Sequence, residues 1–139
     1  MLEEHSQERV FLAPPQVYEL SRFYSFNEYD KFKQFVINRE TKGCTRWLPV
    51  ISTYIDGAIS ALPGDDLYPA EPDLIGKKPV QDYPKKLKDL IKSDSKLNRI
   101  ELRGPTSVVL TNLEPENGHL LPISYYRNNE QLFDLNSKL

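Results

Sequence analysis

Four carboxylates close together, Asp65, Asp66, Glu71 and Asp73, form the densest run of oxygen donors in the chain. Oxygens of this kind hold hard divalent cations such as magnesium. Pro63, Gly64, Pro69 and Pro72 interrupt the stretch, and nothing in the pattern fixes the four on one face, so a solvated acidic loop is the stronger expectation. Downstream, Lys77, Lys78, Lys85, Lys86 and Lys88 have the charge to meet a phosphate-bearing ligand such as a nucleotide or coenzyme A. A basic surface beside Asp82 and Asp89 explains the same residues and is the stronger expectation again.

The two histidines, His5 and His119, stand far apart, each without a second ligand nearby in sequence. Each reads as a surface or capping residue. Cys44 follows Gly43, where a helix is expected to stop, and that is the wrong end of a helix dipole to lower a thiol pKa. A single cysteine also excludes an internal disulfide and a cysteine-based zinc site. There is no Gly-rich loop with a lysine, no dinucleotide fingerprint and no nucleophile elbow. No catalytic residue and no metal ligand is therefore assigned in this chain.

The sharpest motif lies at the other end. Ser137, Lys138 and Leu139 read as a peroxisomal address recognised by the peroxisomal import receptor, which predicts residence in the peroxisomal matrix. With 18 basic and 20 acidic residues the net charge is −2, which leaves no global field to recruit nucleic acid. No apolar run approaches the ~20 residues of a membrane span.

The elements that must position these residues are read from periodicity. Residues 1–9 are a ragged N-terminus. Pro15–Phe23 reads as a helix entered through proline, with Val17, Leu20 and Tyr24 on one face. Ser25 and Glu28 have capping-box spacing, so a helix is predicted over 26–41, with Tyr29, Phe32, Phe35 and Val36 inward and Gly43 as its stop. Two β-rich runs flank Asp56-Gly57, a hairpin signal. Residues 63–86, with five prolines, form a long surface connection. A two-turn helix near Leu87–Ile91, strands at 99–103 and 107–111, and a turn at Asn117-Gly118 before 120–123 complete the pattern. Leu132, Phe133 and Leu135 are candidates to dock ahead of the free end. The fold class is α+β: N-terminal helices, then β-hairpins with a long proline-rich loop.

Several stretches taken in order resemble one family. They are Leu12 to Arg22 (LAPPQVYELSR), Gly43 to Pro49 (GCTRWLP), Asp56-Gly57 and Leu62 to Pro69 (LPGDDLYP). They are similar to the C-terminal portion of the animal peroxisomal Nudix hydrolases that act as coenzyme A and acyl-coenzyme A diphosphatases. The resemblance implies that residues 10–24 correspond to the end of a Nudix domain, 25–135 to an α+β C-terminal region, and 136–139 to a targeting tail. It implies coenzyme A or acyl-coenzyme A as ligand, and magnesium or manganese as the family's metal. The Nudix box whose glutamates hold that metal is missing here, and Glu3-Glu4 is the one Glu-Glu pair. The chain thus reads as the C-terminal region, or a short relative, of such a hydrolase, not catalytic alone and needing no metal of its own. The alternative is a non-catalytic peroxisomal binding or interaction protein. On this reading Val17, Leu20 and Phe23 lack a partner sheet and leave an exposed apolar helix face.

Overall fold

A computed structural model describes residues 1–122. Ile123, the docking candidates Leu132, Phe133 and Leu135, and the motif Ser137-Lys138-Leu139 lie outside the described residues.

Three helices precede the sheet: α1 (Leu2–Ser6), α2 (Pro14–Phe23) and α3 (Tyr29–Arg39). Five strands follow: β1 (Val50–Tyr54), β2 (Gly57–Ala61), β3 (Gln81–Tyr83), β4 (Asn98–Arg103) and β5 (Thr106–Thr111). They form one sheet in the order β3-β1-β2-β4-β5. β1, β2, β4 and β5 are antiparallel neighbours, and β3 lies parallel to β1 at the edge. The α+β class read from the sequence is the class observed.

Side chains alternate across a strand, so register divides the sheet into two faces. One face carries Leu62, Ile100 and Val109 and receives Leu2, Leu12, Val17 and Tyr18 from the helical segments. The other packs Tyr54, Ile59 and Ala61 under Leu87, with Tyr68 and Leu90 against them.

The docking of α2 corrects the expectation of an exposed apolar face. Val17 is 1% exposed, Leu20 packs on the same cluster, and the Tyr18 hydroxyl donates to Asn98 Oδ1 at 3.2 Å. The sheet that covers this helix is the chain's own. Pro14 and Pro15 occupy the first turn, where a missing N–H costs nothing. The Gln16 side chain accepts the Ala13 N–H at 2.9 Å.

The N-terminus is likewise ordered, not ragged. His5 is buried, accepts the Ser107 N–H on Nε2 (3.2 Å) and places Nδ1 3.1 Å from the Val10 carbonyl. With the Leu12 N–H also 3.3 Å from Nδ1, the ring joins α1 to β5 and to the segment ahead of α2. The expectation of a surface histidine fails because the partner strand is a hundred residues away.

Two local signals resolve differently from expectation. α3 starts at Tyr29 with Glu28 at its N-cap and no side-chain cap bond. The Ser25 hydroxyl turns back to the Arg22 carbonyl, and Lys31 takes the Glu28 carboxylate at 2.7 Å, so the capping box is not formed. A 3-10 turn over Glu40–Lys42 completes the helix and Gly43, at φ +77°, ends it. In the hairpin, Tyr54 pairs with Gly57, so Ile55 and Asp56 form the loop and the glycine belongs to β2. The 63–86 connection contains β3, and Leu87–Leu90 is a single 3-10 turn where two helical turns were expected. Asn117-Gly118 closes another 3-10 turn, Glu116–Gly118.

Candidate functional site

The carboxylate run is dispersed by the fold. Asp65 is buried and clamps Arg99 with two bonds, Nε to Oδ2 at 2.6 Å and Nη2 to Oδ1 at 2.7 Å. Its oxygens also accept the backbone N–H groups of Leu67 and Asn98, each at 2.8 Å. Asp66 accepts the Lys96 N–H at 3.0 Å. Asp73 accepts those of Ile75 and Lys78, and the Lys78 N–H is the main cause holding its carboxyl below the usual range. The solvated-loop reading therefore fails at Asp65, which is a structural anchor. Among the described residues no group of three His, Cys, Asp or Glu side chains is placed to hold a metal.

The lysines do not converge either. Lys78 lines a groove beside Pro49 and Val80, and Lys85 lines a different one beside Tyr54 and Tyr83. Lys77, Lys86 and Lys88 are exposed.

The residues that do converge form a cleft of about 330 Å³, lined by Glu19 and Arg22 of α2, Arg39 of α3, Cys44, Thr45 and Trp47, and Glu116, Asn117 and His119. Trp47 lines it, with Tyr18 packed against that ring. Tyr18 and Trp47 meet edge to face at 5.7 Å, and the Arg22 guanidinium lies 4.6 Å and 5.2 Å from their ring centres. Such stacking suits a planar cation that has left water. Arg22 is 7% exposed and donates through Nη1 to Glu19 at 3.0 Å. Burial, as the leading cause, pushes the Tyr18 hydroxyl above its ordinary pKa.

The far wall is held by cross-links. Arg39 Nε donates to the Asn117 carbonyl and Asn117 Nδ2 donates to Thr45 Oγ1, both at 3.1 Å. The His119 ring packs near Phe23 and Phe35, with centres 6.2 and 6.0 Å apart, and its Nδ1 accepts the Leu120 N–H at 2.8 Å. Burial first, and then the charges of Arg22 and Arg39, lower the His119 pKa to about 4. Cys44 is free and exposed at the rim.

A stability prediction follows from His119. Its folded pKa of about 4 lies below the unfolded value of 6.5, so between these values the unfolded chain binds more protons. Stability is then full above about pH 6.5 and falls as the pH drops toward 4. The ring is part-exposed, so after solvent screening the loss is about 1–2 kcal/mol. Urea unfolding at pH 7.5 and 4.5 checks this against His119→Gln, which should flatten the pH dependence by that amount. An unchanged pH slope in the variant contradicts it.

Sequence reading missed this cleft because four separated segments build it. The available signal was local: Tyr18 and Arg22 lie one turn apart on α2, and Trp47 is the chain's single tryptophan.

Comparison with known proteins places the chain. Residues 51–112, from β1 through β5, match the family model described as the NUDT19 C-terminal domain. Over 124 residues, 88% of the chain, it is 37% identical to acyl-coenzyme A diphosphatase NUDT19 of Xenopus laevis and 38% identical to that of Gallus gallus. The Homo sapiens protein of that name is 32% identical over 98 residues, 70% of the chain. These matches cover 33%, 33% and 26% of the three relatives, so the chain spans about a third of their length or less. No solved structure matches the chain. By these matches the chain resembles the C-terminal portion of the NUDT19 acyl-coenzyme A diphosphatases, and the β1–β5 sheet is the part that the NUDT19 C-terminal domain model covers.

Proposed function

We propose that this chain serves as the C-terminal domain of a hydrolase that cleaves the diphosphate of coenzyme A and acyl-coenzyme A, and that it is not catalytic alone. The observation that carries this reading is the identity to acyl-coenzyme A diphosphatases over 88% of the chain, while the sequence has no Nudix box. Catalysis and the family's magnesium or manganese would then reside in a Nudix box on the same polypeptide or a companion one. The docking of α2 on the sheet makes residues 12–23 part of this domain's own core. Ser137-Lys138-Leu139 would direct the protein to the peroxisomal matrix through the import receptor.

Two measurements test this. The purified chain, assayed with magnesium and with manganese, should release no adenosine 3′,5′-bisphosphate from coenzyme A. Metal-dependent release by this chain contradicts the division of labour. An antibody against residues 63–86, applied to a peroxisome-enriched fraction, should detect a species well above 16.1 kDa. A species of 16.1 kDa alone favours the non-catalytic binding protein. Absence of any signal from peroxisomes, with signal elsewhere, removes the localisation.

A further inference from the structure

Two residues of the arginine-lined cleft carry buried donors without acceptors. Arg22 Nε and Trp47 Nε1 have no hydrogen-bond partner among the described residues. Both groups donate only, so no flip or tautomer change that exchanges donor and acceptor satisfies either. A buried unpaired donor costs about 1–3 kcal/mol, and buried polar groups in folded proteins nearly always have partners. Two such donors lining one cleft mark a place where oxygen acceptors are missing.

The charges around the cleft narrow the chemistry of what supplies them. Arg22 is partly balanced by Glu19, whose side chain is 48% exposed at the rim. Arg39 is engaged by one backbone carbonyl and has no carboxylate within ion-pair distance among the described residues. Lys42 Nζ stands close to Gly118 on the same wall. Glu116 also lines the cleft, so its lining holds two guanidiniums and two carboxylates, and Arg39 is the cation left without a carboxylate in ion-pair range among the described residues. Guanidinium pairs favour planar, multidentate oxyanions. A cleft of about 330 Å³ is at the lower end of ligand-sized sites and has room beyond a lone ion.

We propose that this cleft binds the phosphate group of a nucleotide-type ligand, with Arg39 as its charge partner and Arg22 and Trp47 as donors at its base. The identification of that ligand with coenzyme A rests on the functional reading above. The oxyanion site itself does not depend on it.

Trp47 is the chain's only tryptophan, so its emission reports on the cleft directly. The full chain would be titrated with adenosine 3′,5′-bisphosphate, inorganic phosphate, adenosine and pantetheine. Adenosine 3′,5′-bisphosphate should change Trp47 emission saturably, phosphate should do so more weakly, and adenosine and pantetheine should not. Arg39→Gln should weaken binding at least 10-fold in a variant that still unfolds cooperatively, while Lys78→Gln, in another groove, should leave binding unchanged. No saturable change with either phosphate probe overturns the proposal, as does unaltered affinity in a folded Arg39→Gln protein. Equal affinity for phosphate and the bisphosphate supports the oxyanion site and removes coenzyme A as its ligand.

Discussion

Asp65→Ala should cost about 3–5 kcal/mol, the range for removing one member of a buried ion pair. For a chain of this size that lowers the melting temperature by roughly 10–20 °C. Asp65 and Arg99 are both fully buried, and four donors converge on the two carboxylate oxygens. Removing the carboxylate strands the Arg99 guanidinium in a dry interior and leaves two backbone N–H groups without acceptors. Arg99 Nη1 already lacks a partner among the described residues. Asp65→Asn is the sharper variant, because it keeps the shape and one acceptor while removing the charge. It should still lose most of the stability. The double variant Asp65→Leu with Arg99→Met should recover a large part of it, since such a pair is far more damaging to break than to replace. Thermal and urea unfolding of the parent and the three variants decide the matter. A loss below about 1 kcal/mol in Asp65→Ala, the level of an exposed pair, shows that the clamp does not hold the loop to the sheet.

This clamp also shows where sequence reading stops. Leu62 to Pro69 was legible as a family signature, but the role of its first aspartate was not. Arg99-Ile100-Glu101-Leu102-Arg103 alternates charged and apolar residues and reads as a strand. In the fold Arg99 and Glu101 are fully buried with Ile100, and Arg103 donates to Glu101. Alternation reports which residues share a face, and it does not report what covers that face. The covering segment is the 63–97 connection, held by Asp65 and Leu87, and no local period announces it. β3 escaped for a related reason. Its three residues are all exposed, and its parallel pairing to β1 spans about thirty positions, so neither burial nor a turn marks it. The strand pair at Gly104-Pro105 and the proline entry to α2 were legible because local chemistry decides both. The arginine cleft was not, because α2, α3, residues 44–47 and residues 116–119 each contribute one wall.

Gly57→Ala should be the most damaging glycine replacement, at about 3 kcal/mol or more, because the methyl group has nowhere to go. A Cβ at Gly57 falls 2.3 Å from the Leu102 carbonyl oxygen and 2.9 Å from Leu87 Cδ1. Leu87 can shift its methyl group, but Leu102 is backbone of β4 and is fixed by pairing to both β2 and β5. β2 is equally constrained, between β1 and β4. Relief therefore requires strand separation near the hairpin, where Asp56 also accepts the Leu87 N–H at 2.8 Å and Ile55 donates to the Lys85 carbonyl at 3.0 Å. Overpacking alone costs about 1–3 kcal/mol, and the loss of these ties adds to it. Gly104 supplies the contrast. It has φ +62°, and a Cβ there would meet nothing within 4 Å, so Gly104→Ala bears only the strain of a left-handed backbone, about 1 kcal/mol. Urea unfolding should rank the two with Gly57 clearly worse, and amide exchange in Gly57→Ala should rise first along β2 and β4. Equal losses at the two glycines would mean that backbone conformation, and not the approach of β4, is what selects glycine at position 57.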